Sequence, residues 1–100
     1  MQIDVSRKIQ GLDAKDLDVE GEPLMLASVI VNAMMASPER GDQDTGEQKL
    51  KRYRLGMKVL DGGMVEISNE DAVLINARVG QFYGPLVVGQ VYDILESGGG

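Results

Sequence analysis

An α+β domain is the fold class that this 100-residue sequence predicts. Three observations carry that expectation. Apolar residues alternate with polar ones through the first twenty positions, four later segments repeat apolar residues at helical spacing, and Pro and Gly separate them. The expected elements are a β-hairpin over about residues 2–20 and helices over about 24–36, 47–60, 69–83 and 85–96. A short third strand at 64–67 beside the hairpin completes the set. Residues 1–97 are expected to form a single domain, with Gly98–Gly100 a flexible tail.

In the hairpin, Ile3, Val5 and Ile9 share one strand face with Arg7, and Leu17 and Val19 alternate with Asp16, Asp18 and Glu20. The turn falls at Gly11-Leu12-Asp13-Ala14. Pro23 should end the second strand, because proline donates nothing to a ladder, and should open the first helix. That helix, LMLASVIVNAMMA, is apolar nearly all round, so it is expected at the centre of the fold, stopped by Ser37-Pro38.

The polar stretch PERGDQDTG, residues 38–46, predicts a mobile surface loop. Thr45 is placed to cap the second helix, whose apolar stripe reads Leu50, Tyr53, Met57 and Leu60. Gly56 within that helix costs about 1 kcal/mol relative to alanine, which points to close packing there. Asp61-Gly62-Gly63 is a turn. Ser68 or Asn69 caps the third helix, to which Val73, Ile75, Val79 and Phe82 contribute apolar faces. Gly84-Pro85 breaks it and seeds the fourth, with Pro85 at the first helical position. Val87, Val88, Val91, Ile94 and Leu95 form one stripe, suited to a core or a partner, and Gln90, Asp93 and Glu96 point away from it.

Composition narrows the chemistry. The chain has no cysteine and no histidine, which removes disulfide staples, thiolate metal sites and the commonest general base near neutral pH. No apolar run approaches the roughly 20 residues that span a bilayer, and MQIDVSRKIQ is too polar for a signal peptide. The expected location is therefore cytoplasmic, with no membrane association. The net charge of −6 is unevenly spread. Residues 1–48 carry four basic and ten acidic side chains, residues 49–60 five basic and none acidic, and residues 61–100 one basic and six acidic.

Three constellations stand out. Asp16, Asp18, Glu20 and Glu22 would line one face of a strand, as a wet sheet face or as a surface for a basic partner. Lys49, Lys51, Arg52, Arg54 and Lys58 make the one basic patch, read as phosphate contacts with Tyr53 available to stack a base, or as a solvated helix face. Val87, Val91 and Leu95, with Tyr83 and Tyr92, form a candidate partner-binding face on the last two helices. Asp42-Gln43-Asp44-Thr45-Gly46-Glu47 resembles the start of a calcium loop, but position five is glycine, position six glutamate and position twelve tyrosine, so the pattern fails. No catalytic residue, metal ligand or cofactor is implied.

The stretches LMLASVIVNAMMA, KLKRYRLGMKV and VEISNEDAVLINARVGQFYGPLVVGQVYDILE together resemble small uncharacterised proteins of tailed bacteriophages and prophages. The Tyr83–Gln90 junction is the most specific part. The resemblance implies a phage origin and action in the host bacterial cytoplasm, and no functional residue follows from it. The function expected is that of a small non-enzymatic interaction protein. It would associate with itself, as a homo-oligomer, or with a host or phage protein through its last two helices. The alternatives are an assembly chaperone or morphogenesis factor for phage heads or tails, and a nucleic-acid-binding regulator using the basic helix 49–58.

Overall fold

The computed structural model describes residues 1–19 and 21–97. Its elements are β1 (Gln2–Asp4), β2 (Asp18–Val19), β3 (Glu22–Pro23), α1 (Leu26–Met35), α2 (Gly46–Val59), β4 (Met64–Glu66), α3 (Asn69–Phe82) and α4 (Pro85–Glu96). The fold class is α+β, with four helices over small antiparallel strand pairs. The expected tail at Gly98–Gly100 lies outside the described residues.

Strand pairing is less local than the alternation suggested. β1 pairs with β4 in the register Gln2↔Glu66, Ile3↔Val65 and Asp4↔Met64. A reduced hairpin survives further along. Leu17 N donates to Ile9 O at 2.8 Å, and Gln10 bridges Asp16 across the Gly11–Lys15 turn. β2 then turns back on β3 through Gly21, which has φ of 85°. Pro23 therefore belongs to a strand and does not open the helix. The helix starts at Leu26, after Met25. Ile3, Val5 and Ile9 are all fully buried, so the period-two reading of the core face holds even though the partner strand differs.

α1 is the centre of the helical layer and packs against both α2 and α3, while α4 packs against α3. Leu26, Val29, Ile30, Ala33 and Met34 lie in the core. Thr45 caps α2 and Ser68 caps α3, each accepting from the backbone N–H three residues on. Gln48 and Asp71 return the bond to the capping residue, closing two capping boxes. α4 begins at Pro85 with Gly84 as its N-cap. Gln90 does not point to solvent. Its side-chain amide accepts from Gln10 N at 2.9 Å and donates to Gln10 O at 2.7 Å, fastening α4 to the N-terminal segment.

Among the described residues, no helix is long and apolar enough to cross a membrane.

Candidate functional site

The three helices α1, α2 and α3 meet at the C-terminal end of α1, and the meeting point is charged. A helix end leaves its last four carbonyls without intrahelical donors. α1 has no basic residue in its last turn and no glycine at its C-cap, Ala36. Its carbonyls are capped instead by two arginines from other helices. Arg52 Nε donates to Met34 O at 2.9 Å and Nη2 to Ala36 O at 2.8 Å. Arg78 Nε donates to Ala33 O at 3.0 Å, and its Nη2 donates to the same Ala36 oxygen. Both positive groups sit where the helix dipole is negative. Both are nearly sealed, Arg52 at 4% exposed and Arg78 at 6%.

The two differ in their counter-ions. Arg52 Nη1 reaches Asp42 at 2.7 Å and Asp44 at 3.0 Å. The loop expected to be mobile is thus tied to α2 by its two aspartates. Burial opposes the Arg52 charge, but the hydrogen bonds it donates to Asp42 and Asp44 outweigh it and hold the guanidinium pKa above its ordinary value. The Arg52 hydrogen bond in turn holds Asp42 below the usual carboxylate range. Arg78 has no carboxylate partner among the described residues and lies over the Phe82 ring, 4.9 Å from its centre. Burial, then repulsion from Arg52, push its pKa down.

Beside this junction α2 and α3 leave an open cleft of about 800 Å³. Lys51, Arg54 and Lys58 line one wall, Glu70 and Asp71 the other, with Leu55, Leu74 and Ala77 between them. Lys51 pairs with Glu70 at 3.9 Å and Lys58 with Asp71 at 3.6 Å.

The basic patch is therefore not one surface. Arg52 turns inward, Lys51 and Lys58 pair with acids on α3, and Lys49 and Arg54 remain exposed without ion-pair partners among the described residues. The acidic row is also broken. Asp16 pairs with Lys8 at 3.4 Å, the turn at Gly21 puts Asp18 and Glu22 on different strands, and Glu20 lies outside the described residues.

The proposed partner-binding face is corrected most sharply. Val87, Val91 and Leu95 are buried in the core of the chain itself, because α4 closes over α3 and the N-terminal segment. Tyr83 is partly buried, with Asn32 Nδ2 donating to its hydroxyl at 3.4 Å. Tyr92 is exposed along one edge and donates to Asn76 O at 3.3 Å.

A row of large exposed apolar side chains lies on α2. The inward residues of this helix are Arg52, Leu55, Gly56 and Val59. The apolar stripe read from the sequence points outward, with Leu50 at 45% exposed, Tyr53 at 53%, Met57 at 48% and Leu60 at 53%. Met35, exposed at the end of α1, extends this ridge. It lines a small hollow with Tyr53, and its Cε would come within 2.6 Å of a Cβ placed at Gly56. Lys49 and Arg54 flank the ridge on either side of the helix.

Arg78 was missed as a site residue, though it had a signal. It is the one charge in the apolar face formed by Ile75, Val79 and Phe82.

No family model, curated protein or solved structure matches the chain.

Proposed function

We propose that this chain is a non-enzymatic protein that acts by protein–protein association, through the outer face of α2 and not through its C-terminal helices. The observation that carries the reading is the ridge of Leu50, Tyr53, Met57 and Leu60, four large apolar side chains about half exposed on one helix. Contiguous apolar surface of this kind marks interaction sites. Tyr and Met are enriched in such interfaces.

The ridge is flanked by Lys49 and Arg54, so it fits a partner with an apolar strip and an acidic rim. A second copy of the chain offers an exposed apolar residue set among acids. Val19 is 51% exposed on the β2–β3 ribbon, beside Asp18 and Glu22. Joining unlike faces makes a heterologous contact, which closes into a ring or grows as an open chain. Phage origin and a role in particle assembly draw on the sequence resemblance alone. The nucleic-acid reading loses its footing, because Arg52 is buried and Lys51 and Lys58 are paired.

Sedimentation velocity on the whole chain over a range of concentrations tests the proposal. The expected result is a mass above the monomer that reverts to monomer in Tyr53→Glu/Met57→Glu, with helix content unchanged. A monomer at every concentration, or a double variant that associates like the parent, would overturn it.

A further inference from the structure

The cleft between α2 and α3 poses a question that the outer ridge does not answer. The acids that line it already have partners. Glu70 is with Lys51, Asp71 with Lys58, and Asp44 with Arg52. Two cations lining it, Arg54 and Arg78, have no carboxylate among the described residues. Arg54 is at the surface, but Arg78 is almost sealed, and its bonded nitrogens meet only neutral carbonyls. A buried charge with no counter-ion is costly, and an entering anion relieves that cost. No partner among the described residues takes Arg78 Nη1. That nitrogen is not among the fully sealed, unbonded atoms, and the residue lines the cleft. Arg52 repels Arg78, while Asp42 and Asp44, which pair with Arg52, attract it without bonding to it.

The rest of the cleft is apolar. Leu55, Leu74 and Ala77 form its walls, and Val73, at 70% exposed, stands at its mouth. At about 800 Å³ it is far larger than a bare ion needs and falls in the range of sites for organic ligands.

We propose that this cleft binds an amphipathic anion, a carboxylate or phosphate group carried on an apolar tail. Arg78 and Arg54 would take the charge, and Leu55, Leu74 and Ala77 the tail.

The test is a nitrogen-resolved NMR titration of the whole chain with octanoate and, separately, octyl phosphate. Acetate and octylamine serve as controls. Saturable shifts centred on Leu55, Leu74 and Ala77, at least about tenfold tighter for one of the two anions than for either control, support the proposal. The tighter of the two identifies the headgroup. Arg78 caps α1, so its removal could unfold the chain, and the variants are placed elsewhere. Arg54→Gln should weaken binding roughly tenfold, the loss of one charge-assisted hydrogen bond. Val73→Glu, which sets a like charge at the mouth, should weaken it further, and Lys49→Gln, outside the cleft, should leave it unchanged. Equal binding of octylamine, shifts centred on Tyr53 and Met57, absence of saturation, or indifference to both Arg54→Gln and Val73→Glu would overturn the proposal.

Discussion

α2, packed on α1, and α4, packed on α3, are helices of similar length, and they use their apolar residues in opposite ways. α4 turns Val87, Val91, Ile94 and Leu95 into the core. α2 turns inward only Leu55 and Val59 of its large aliphatics, together with a glycine and an arginine, and holds Leu50, Tyr53, Met57 and Leu60 in solvent. On apolar area alone this is the wrong choice for α2, since fully burying such a side chain is worth about 1.5–3 kcal/mol. What opposes it is the end of α1. Met34 O there takes its side-chain donor from Arg52 alone and Ala36 O shares Arg52 with Arg78, and a buried acceptor left unpaired costs about 1–3 kcal/mol. Arg52 supplies two of those bonds and brings in Asp42 and Asp44. Gly56 lets α2 approach α1 closely on the same face. The inward face of α2 is thus chosen by capping and close approach, and that of α4 by aliphatic volume.

The sharpest way to break this contrast is to charge or truncate the inward stripe of α4 and truncate the outward stripe of α2. Val91 is fully buried, so Val91→Asp places an unpaired carboxylate in the core and should abolish the cooperative thermal unfolding transition. Leu95→Ala should cost about 2–5 kcal/mol. On α2, Leu50→Ala should fall within about 0.5 kcal/mol of the parent. Chemical denaturation of the three variants settles the comparison. If Leu50→Ala costs as much as Leu95→Ala, the outer ridge is part of the core.

The contrast also shows what could be read in the residues. The caps at Thr45 and Ser68 and the Gly84-Pro85 break were legible, because each depends on chemistry within four residues. The pairing of β1 with β4 was not, because Ile3 and Val65 are brought together only by the helices between them. For α2 two stripes competed, Leu50/Tyr53/Met57/Leu60 and Arg52/Leu55/Gly56/Val59. Hydrophobicity favours the first, and only the position of α1's open end explains the second. The candidate cleft was hidden for the same reason. Lys51, Arg54 and Lys58 were visible as a basic run, but nothing local shows that Glu70 and Asp71 neutralise two of them across a gap.

Removing the arginine latch comes next in size. Arg52→Met keeps the aliphatic stem but takes the donor from Met34 O and the cation from Asp42 and Asp44, leaving Ala36 O to Arg78, and should cost about 3 kcal/mol by the cost of breaking a buried ion pair. The latch is also sensitive to acid. The Asp42 pKa lies below its ordinary value, chiefly because of the Arg52 hydrogen bond. Its contribution is therefore complete above the unfolded-state value and is lost as pH falls through the lower folded-state value. The unfolding midpoint of the parent should stay level from neutrality down to about pH 4 and fall below it. Glu66, held low chiefly by its hydrogen bond to the Met1 ammonium, adds a loss of the same sign. Arg52→Met should flatten the Asp42 part of the acid limb and keep the Glu66 part. An acid limb identical in both proteins would show that Asp42 is not held by Arg52.

The smallest effect is the most informative about why α2 lies as it does. A Cβ at Gly56 would stand 2.6 Å from Met35 Cε and 3.7 Å from Met34 Cβ. The second distance is ordinary contact, and the first involves the tip of a flexible, partly exposed side chain that can swing into solvent. Gly56→Ala should therefore recover most of the roughly 1 kcal/mol by which alanine exceeds glycine in a helix interior, less the cost of moving Met35. A slightly more stable protein with Met35 displaced is the expected outcome of denaturation and methionine-methyl NMR. Gly56→Val adds further volume toward α1 and a χ1 restriction in the helix, and should destabilise by about 1–3 kcal/mol. If alanine were as damaging as valine, the backbone approach itself would set the packing of α2 on α1. If both were harmless, the choice of inward face would rest on Arg52 and its bonds to the end of α1.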